Sequence, residues 1–205
     1  MTTMGLVEVT CGRAATSREE RDALLRDAVA RFCEISSADV SVGRLCPACG
    51  GSEHGRPYAL TPGRPPQVSV SRTGDVVLVA VADDGPVGVD VERLDTTGGW
   101  DRLDGVLLHP AEAPVTDRDR AVLWVRKEAL LKATGRGLAV RPDLVRLTAS
   151  DEEPRLLAWQ APDAPTAVRM YDVEVDADLV ACVAVLSAGP HRLVVHPEGP
   201  AATVP

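Results

Sequence analysis

The chain has 205 residues, 22 of them basic and 30 acidic for a formal net charge of -8, with 45% hydrophobic and 25% charged side chains. That is the composition of an ordinary globular protein long enough to bury a substantial core, as one large domain or two small ones. One Phe, two Tyr and three Trp leave little surface for stacking nucleobases, and the negative charge opposes a phosphate backbone, so a nucleic-acid partner is excluded. No basic-then-apolar leader opens the chain and no apolar run approaches the roughly 20 residues of a membrane span. Five cysteines, an odd number, fit a reducing compartment better than a disulfide framework, and together these features predict a cytoplasmic protein.

Ser17 with Glu20 three residues on resembles a capping box, and Leu24, Leu25, Val29 and Phe32 follow at helical spacing, which predicts a helix over 17–32. Arg21, Arg26 and Arg31 along it read as a solvated face. Next come Cys46, Cys49 and His54, residue types that ligate zinc. Only three such groups are local, so a fourth would have to come from Cys33 or His109, and a structural loop rich in Gly and Pro is the favoured reading. Residues 67–82 predict a β-hairpin turning at Thr73-Gly74-Asp75, and Val89 and Val91 of Gly88-Val-Asp-Val-Glu92 mark a further short strand.

Residues 96–116 form a connecting region containing Gly98-Gly99, Pro110 and Pro114. A helix over 117–134 is then predicted. Thr116 and Asp119 supply its capping box, Asp117 and Asp119 acidify its first turn, and Gly135 turns the chain after it. Val122, Leu123, Trp124, Leu130 and Leu131 give it a buried stripe, while Glu128 and Lys132, four apart, share a neighbouring face. The chain has only two lysines, Lys127 and Lys132, both on this helix. Where arginine serves as the cation everywhere else, they suggest positions that require a compact ammonium. Short strands are predicted over 144–147, 155–159, 168–173 and 179–186, with Trp124 and Trp159 as core residues.

The stretch 75–82 followed by Gly85-Pro86 resembles 178–185 followed by Gly189-Pro190. Two unrelated buried strands are the competing reading of so short and apolar a match; duplication predicts an α+β fold made of a pseudo-twofold pair of similar subdomains, each a small antiparallel sheet packed with a helix. The expected units are 1–98 and 99–196, with 197–205, rich in Pro and Gly, as a disordered tail. In the second half the position equivalent to Asp90 falls near Val194, so a single site between the halves is expected.

On a strand Asp90 and Glu92 point to one side. Two such carboxylates repel unless a cation lies between them, and with Glu128 they form an oxygen-rich set suited to a hard divalent ion such as Mg2+. The competing reading pairs the three carboxylates with nearby arginines such as Arg93 and Arg126.

Gly88-Val-Asp-Val-Glu92 followed by Trp124-x-x-Lys127-Glu128-Ala129, Lys132 and Gly135-x-Gly137-Leu138 resembles the two signature motifs of the 4'-phosphopantetheinyl transferases of the surfactin-synthetase-activating type. The resemblance implies the pseudo-duplicated fold and transfer of phosphopantetheine from coenzyme A to a serine of an apo acyl or peptidyl carrier protein. It implies Mg2+ on Asp90, Glu92 and Glu128, with Glu128 also accepting the serine proton and Lys132 stabilising phosphate charge. Gly55-Arg56-Pro57 matches a family element that implies a phosphate contact from Arg56, helped by basic residues of the N-terminal half. Ser71 matches a family Ser-His pair at the nucleotide phosphates, but Arg72 replaces its His; it binds phosphate without exchanging a proton. Lys127 serves either the phosphates or a surface ion pair. His109-Pro-Ala-Glu112 resembles a weaker element that places Glu112 near the metal, although an exposed loop carboxylate is an equal reading, and His109 is structural. The implied enzyme is a monomer of the broad-specificity, secondary-metabolism branch. Two competitors from other classes are a non-catalytic coenzyme A or carrier-binding homologue, motivated by Arg72, and a zinc-bearing interaction module built on Cys46 and Cys49.

Overall fold

The computed structural model describes residues 4–13, 15, 17–94 and 99–197. The expected tail from 198 onward and residue 98 at the expected domain boundary lie outside them. In chain order the elements are β1 (Gly5–Arg13), α1 (Arg18–Cys33), β2 (Ser41–Leu45), β3 (Arg56–Leu60), β4 (Gln67–Thr73), β5 (Val76–Ala82) and β6 (Val87–Arg93). There follow α2 (Asp104–Leu107), α3 (Asp117–Ala133), β7 (Val145–Leu147), β8 (Leu156–Trp159), β9 (Arg169–Asp172), β10 (Leu179–Val185) and β11 (His191–His196).

Both long helices begin where their capping boxes predict. Glu20 N–H donates to Ser17 Oγ over 3.1 Å and Ser17 N–H to Glu20 Oε2 over 2.8 Å; Thr116 and Asp119 repeat the exchange at 3.1 and 2.7 Å. The elements unread in the sequence are β1, the β2–β3 hairpin, α2 and β11. β11 ends at His196, the last residue of the expected second unit.

The duplication is visible in the sheets. β5 and β10 are buried along their whole length, and each is the inner strand of a small sheet, ordered β11-β1-β5-β4 and β6-β10-β9. One face of each sheet meets the other: Val7, Val9, Val76, Leu78 and Ala80 pack on Val87, Val89, Val91, Ala181 and Val183. Helix α1 covers Val77, Val79 and Val81 on the outer face of β5, and α3 covers Val180, Cys182 and Ala184 on that of β10. Alternating apolar residues on both faces require this four-layer arrangement of helix, sheet, sheet and helix.

The strand after each repeated hairpin crosses to the other sheet. β6 follows β5 yet pairs antiparallel with β10, while β11 follows β10 yet pairs parallel with β1, setting Val194 opposite Glu8. As a result β4 and β6, edge strands of different sheets, lie side by side. Val89 N–H donates to Ser69 Oγ over 3.1 Å across that seam.

Candidate active site

The alternation of β6 sends Val87, Val89 and Val91 into the core between the sheets and turns Gly88, Asp90 and Glu92 toward α3. A Cβ on Gly88 would lie 2.0 Å from the Ala129 carbonyl oxygen and 2.4 Å from the Ala133 nitrogen. Only glycine lets the strand lie this close to the helix, and that approach brings Asp90 and Glu92 against Glu128 and Lys132.

Lys132 Nζ donates to Asp90 Oδ1 over 2.6 Å and to Ser71 Oγ and the Val89 carbonyl over 3.1 Å each. Ser71, on the edge strand β4, donates its own proton to Asp90 Oδ1 over 2.7 Å. Thr73 Oγ1, two residues on, donates to Glu92 Oε2 at 3.3 Å. Asp90 is 4% and Glu128 9% exposed, and the buried Asp90 Oδ2 and Glu128 Oε1 have no hydrogen-bond partner. Burial pushes the Glu128 carboxyl above its ordinary range, Asp90 and Glu92 push it further, and Lys132 opposes them. Glu92 is likewise raised, first by burial and then by Asp90, against hydrogen bonds from Thr73 and Trp124 and the charge of Lys132. Three carboxylates thus face one ammonium, with two buried oxygens unpaired. Such a set is costly as it stands; its oxygens do not all lie within 4.8 Å of one another, so the three would have to draw together to ligate a hard divalent cation. Arg93 and Arg126 do not relieve it, because Arg93 bonds Asp75 and Asp178 while Arg126 holds Asp172 and the carbonyls of Ala149, Ser150 and Glu152.

A cleft opens beside this cluster between the β2–β3 hairpin, β4 and the end of α3. Its middle part, about 320 Å³, is lined by Arg44, Arg56, Ser69, Lys132, Gly135 and Gly137. A further part of about 340 Å³ is lined by Arg18, Arg21, Arg44, His54, Ser71 and Arg72. Gly135 and Gly137 both take positive φ, of 73° and 49°, and turn the chain away so that the cleft stays open; a Cβ on Gly135 would sit 3.1 Å from Arg56 Nη1. Arg56 is half-buried, its guanidinium pulled below its ordinary range by burial, and its buried Nη2 has no partner. Arg44 is also lowered, chiefly by burial; the charge of Asp22 opposes this and those of Arg18 and Arg21 add to it. Arginines gathered in this way bind anions with several charges.

The structure therefore brings Arg56, Ser71, Arg72 and Lys132 to one cleft, with Asp90, Glu92 and Glu128 clustered behind Ser71 and Lys132. It adds Arg18, Arg21 and Arg44. The sequence held no motif for Arg18 or Arg44, the first at a helix start and the second on an unread strand.

Lys127 requires a correction. One residue from Glu128, it points away from the cleft and is fully buried, its Nζ donating to Glu112 Oε2 over 2.5 Å and to the Leu107 carbonyl over 2.7 Å. Burial lowers the ammonium and Glu112 raises it in part. It is an ion pair, but an interior one, and not a phosphate contact. Glu112 is correspondingly neither an exposed loop carboxylate nor a partner of Asp90: it also accepts the N–H groups of His109 and Leu147, both over 2.9 Å. His109 is structural as expected, with Nδ1 accepting from Ala111 N–H and Nε2 beside Gln160.

Residues 86–184 match the family model described as the 4'-phosphopantetheinyl transferase superfamily, a span that runs from the start of β6 to β10 and includes all of α3. The chain is 28% identical to the 4'-phosphopantetheinyl transferase psf-1 of Bacillus pumilus over 60% of its own length and 55% of the relative's. It is 27% identical to a 4'-phosphopantetheinyl transferase of Bacillus subtilis over 80% of its length and 71% of the relative's. A third relative, 4'-phosphopantetheinyl transferase AcpT of Salmonella typhi, is 29% identical over 40% of this chain and 47% of its own. The matches thus span from about half to seven-tenths of those relatives. Over residues 86–184, which hold Asp90, Glu92, Glu128 and Lys132 of the seam, the chain is similar to the 4'-phosphopantetheinyl transferase superfamily.

Proposed function

We propose that the protein transfers the 4'-phosphopantetheine arm of coenzyme A to a serine hydroxyl of an apo acyl or peptidyl carrier protein. The serine oxygen forms a bond to the pyrophosphate phosphorus that bears the arm, the bond from that phosphorus to the bridging oxygen breaks, and adenosine 3',5'-bisphosphate leaves. The observation that carries the reading is the set of three carboxylates with two unpaired buried oxygens, joined through Ser71 and Lys132 to an arginine-lined cleft.

The first half, 1–98, would supply most of the coenzyme A contacts, and 99–196 the helix with Glu128 and Lys132. Arg56, Arg72 and the arginines about Arg44 would seat the phosphates, which satisfies the unpartnered Nη2 of Arg56. Ser71 orients Asp90 and Lys132 by the hydrogen bonds it makes to both. Asp90, Glu92 and Glu128 would hold Mg2+, whose chemistry there is charge neutralisation at the pyrophosphate oxygens. Lys132 puts a positive charge beside the same carboxylates. Glu128, its carboxyl raised by burial and by its acidic neighbours, would take up the serine proton. Alignment of hydroxyl and phosphorus in a partly closed cleft supplies the remainder of the rate.

The enzyme would act as a cytoplasmic monomer on carriers of the broad, secondary-metabolism kind, polyketide or nonribosomal-peptide synthesis included; no helix among the described residues is long and apolar enough to cross a membrane. A non-catalytic coenzyme A-binding homologue is the second reading, motivated by Arg72. The unpaired carboxylate oxygens speak against it, since a protein that no longer held a metal would gain stability by replacing them. The test is the mass of an apo carrier after incubation with coenzyme A, Mg2+ and this protein. Addition of the phosphopantetheine mass by the wild type and not by Glu128→Gln is the expected result; no addition on several carriers, with coenzyme A still bound, would establish the second reading.

A further inference from the structure

The loop between β2 and β3 carries a second set of ligand groups that the transfer chemistry does not use. Cys46 Sγ, Cys49 Sγ and a ring nitrogen of His54 all lie within 4.8 Å of one another, the one such group of three or more metal-ligating side chains found among the described residues. Cys49 Sγ is 3.4 Å from His54 Nε2. Two ligands sharing a tetrahedral Zn2+ at ordinary Zn–S and Zn–N lengths stand about 3.6 Å apart, so this spacing needs almost no adjustment.

The backbone holds the sulfurs in place. Cys46 N–H donates to the Gly51 carbonyl over 2.9 Å, Gly50 N–H returns to the Cys46 carbonyl over 2.8 Å, and Gly51 N–H points at Cys49 Sγ over 3.4 Å. Gly50 takes φ 70°, and Gly55 closes the loop at φ 100°, where a Cβ would lie 2.4 Å from the Leu45 carbonyl. No residue from Cys46 to Gly55 belongs to a hydrophobic cluster, so nothing apolar fixes the loop, yet it delivers Arg56 to the cleft. Arg18 fastens its outer side, donating to the Ser52 carbonyl and to Glu53 Oε2.

We propose that Cys46, Cys49 and His54 bind one Zn2+ that cross-links this loop and so sets the cleft wall from His54 to Arg56. Two thiolates and an imidazole form a soft donor set that selects zinc over magnesium, while the all-oxygen cluster at Asp90 makes the opposite selection. Three ligands come from this loop. Cys33 lies outside the group, and His109 is held by Ala111 and Gln160, so the remaining position is for water.

The test uses full-length protein purified reduced and without chelator. About one zinc per chain by elemental analysis is expected, and Co2+ added after zinc removal should give thiolate-to-cobalt charge transfer with the strong visible bands of tetrahedral coordination. Cys46→Ser/Cys49→Ser should weaken metal binding by more than about tenfold. His54→Cys, which keeps three ligands, should retain the metal, so a loss in the double variant is separable from misfolding. Zinc well below stoichiometry with no tetrahedral cobalt spectrum, metal content unchanged in the double variant, or a Cys46–Cys49 disulfide in freshly isolated protein would each overturn the proposal. None of these readouts depends on transferase activity.

Discussion

Lys132 Nζ and Asp90 Oδ1 lie 2.6 Å apart where α3 packs on β6, the edge strand that lies beside β4 of the other sheet. The ammonium neutralises one of three carboxylates and is itself held by Ser71 and the Val89 carbonyl, so it stays at the rim of the cleft instead of swinging into solvent. Lys132→Met should lower the transfer rate by roughly 10² to 10³, the scale of losing one fixed charge at a reacting phosphate. It should also cost about 2 kcal/mol in urea unfolding, because Asp90 is then left buried without its cation. Lys132→Arg should recover the stability but little of the rate, since a planar guanidinium does not fit the three acceptors that the ammonium holds. Equal rates for the arginine variant and wild type would remove Lys132 from the chemistry.

Glu128 and its acidic neighbours are destabilising until a cation arrives. A carboxyl whose folded pKa is raised binds its proton more tightly in the folded protein, so its cost to stability grows as pH rises from the unfolded value through the folded one and is in force at neutral pH. Glu128→Gln should therefore unfold at higher urea than wild type in EDTA, by on the order of 1 kcal/mol. Excess Mg2+ should raise the wild type and leave the variant nearly unmoved, reversing the order. An EDTA comparison in which the variant is the less stable would mean that Glu128 is satisfied by a protein partner.

How much of this was legible depended on whether the information was local. The ends of α1 and α3 were, because a capping box is written in four consecutive residues, and the facing of Asp90 and Glu92 was, because a strand alternates. The pairing of β6 with β10 and of β11 with β1 was not: a strand's partner is chosen by long-range packing, and a repeated hairpin suggests that each half keeps its own strands. Lys127 shows a different gap. Lys127 and Glu128 are adjacent, and a helix turns successive side chains by about 100°, so one goes to Glu112 in the interior and the other to the carboxylate cluster; the lysine's rarity marked its position as special without telling which of the two it served. Gly88 was visible as a letter of the motif, but its purpose appears only when the Ala129 carbonyl is found where its Cβ would be.

The interior pair gives a prediction opposite in kind to that for Lys132. Lys127 and Glu112 are 0% and 4% exposed at their side chains. Lys127→Met should cost about 3 to 5 kcal/mol by leaving Glu112 as a buried unpaired charge. Adding Glu112→Gln should recover part of the loss, because the amide still accepts the Leu147 N–H without a charge to solvate. Denaturant unfolding of the two single variants and the double variant measures the coupling. In whatever fraction stays folded, KM for coenzyme A should be unchanged; a selective rise in KM would return Lys127 to the phosphates.

Arg56 and Arg72 should separate binding from turnover. Arg56→Lys keeps the charge but loses the planar fork of a half-buried guanidinium, and a roughly tenfold rise in KM for coenzyme A with kcat little changed is expected, about 1.4 kcal/mol of binding. Arg72 is exposed at the cleft mouth, so Arg72→His should change KM less than Arg56→Lys does, and most visibly at low ionic strength. Steady-state kinetics with a fixed apo carrier would decide this, and a large fall in kcat for Arg56→Lys would move that residue from seating the substrate to the reaction itself.

Asp119 couples the start of α3 to acid stability. A hydrogen bond from Ser150 Oγ, over 2.6 Å, followed by bonds from the Thr116 backbone and hydroxyl and the Val115 N–H, hold its carboxyl down at about 2 against an ordinary 3.8. A depressed carboxylate contributes stability that is complete above the unfolded value and is lost as pH falls through the folded one. Its exposure screens much of the charge, so Asp119→Asn should cost only about 1 kcal/mol at neutral pH, the scale of a helix cap. The gap between wild type and variant should hold down to about pH 4 and close between pH 4 and pH 2, the interval between those two pKa values. Ser150→Ala should show a smaller gap that closes over the same interval, since it removes the strongest of the bonds but leaves the cap. Urea midpoints measured every half pH unit would show it, and a gap that persisted unchanged to pH 2 would mean that the cap acts through shape and hydrogen bonding alone, with no contribution from the charge of Asp119.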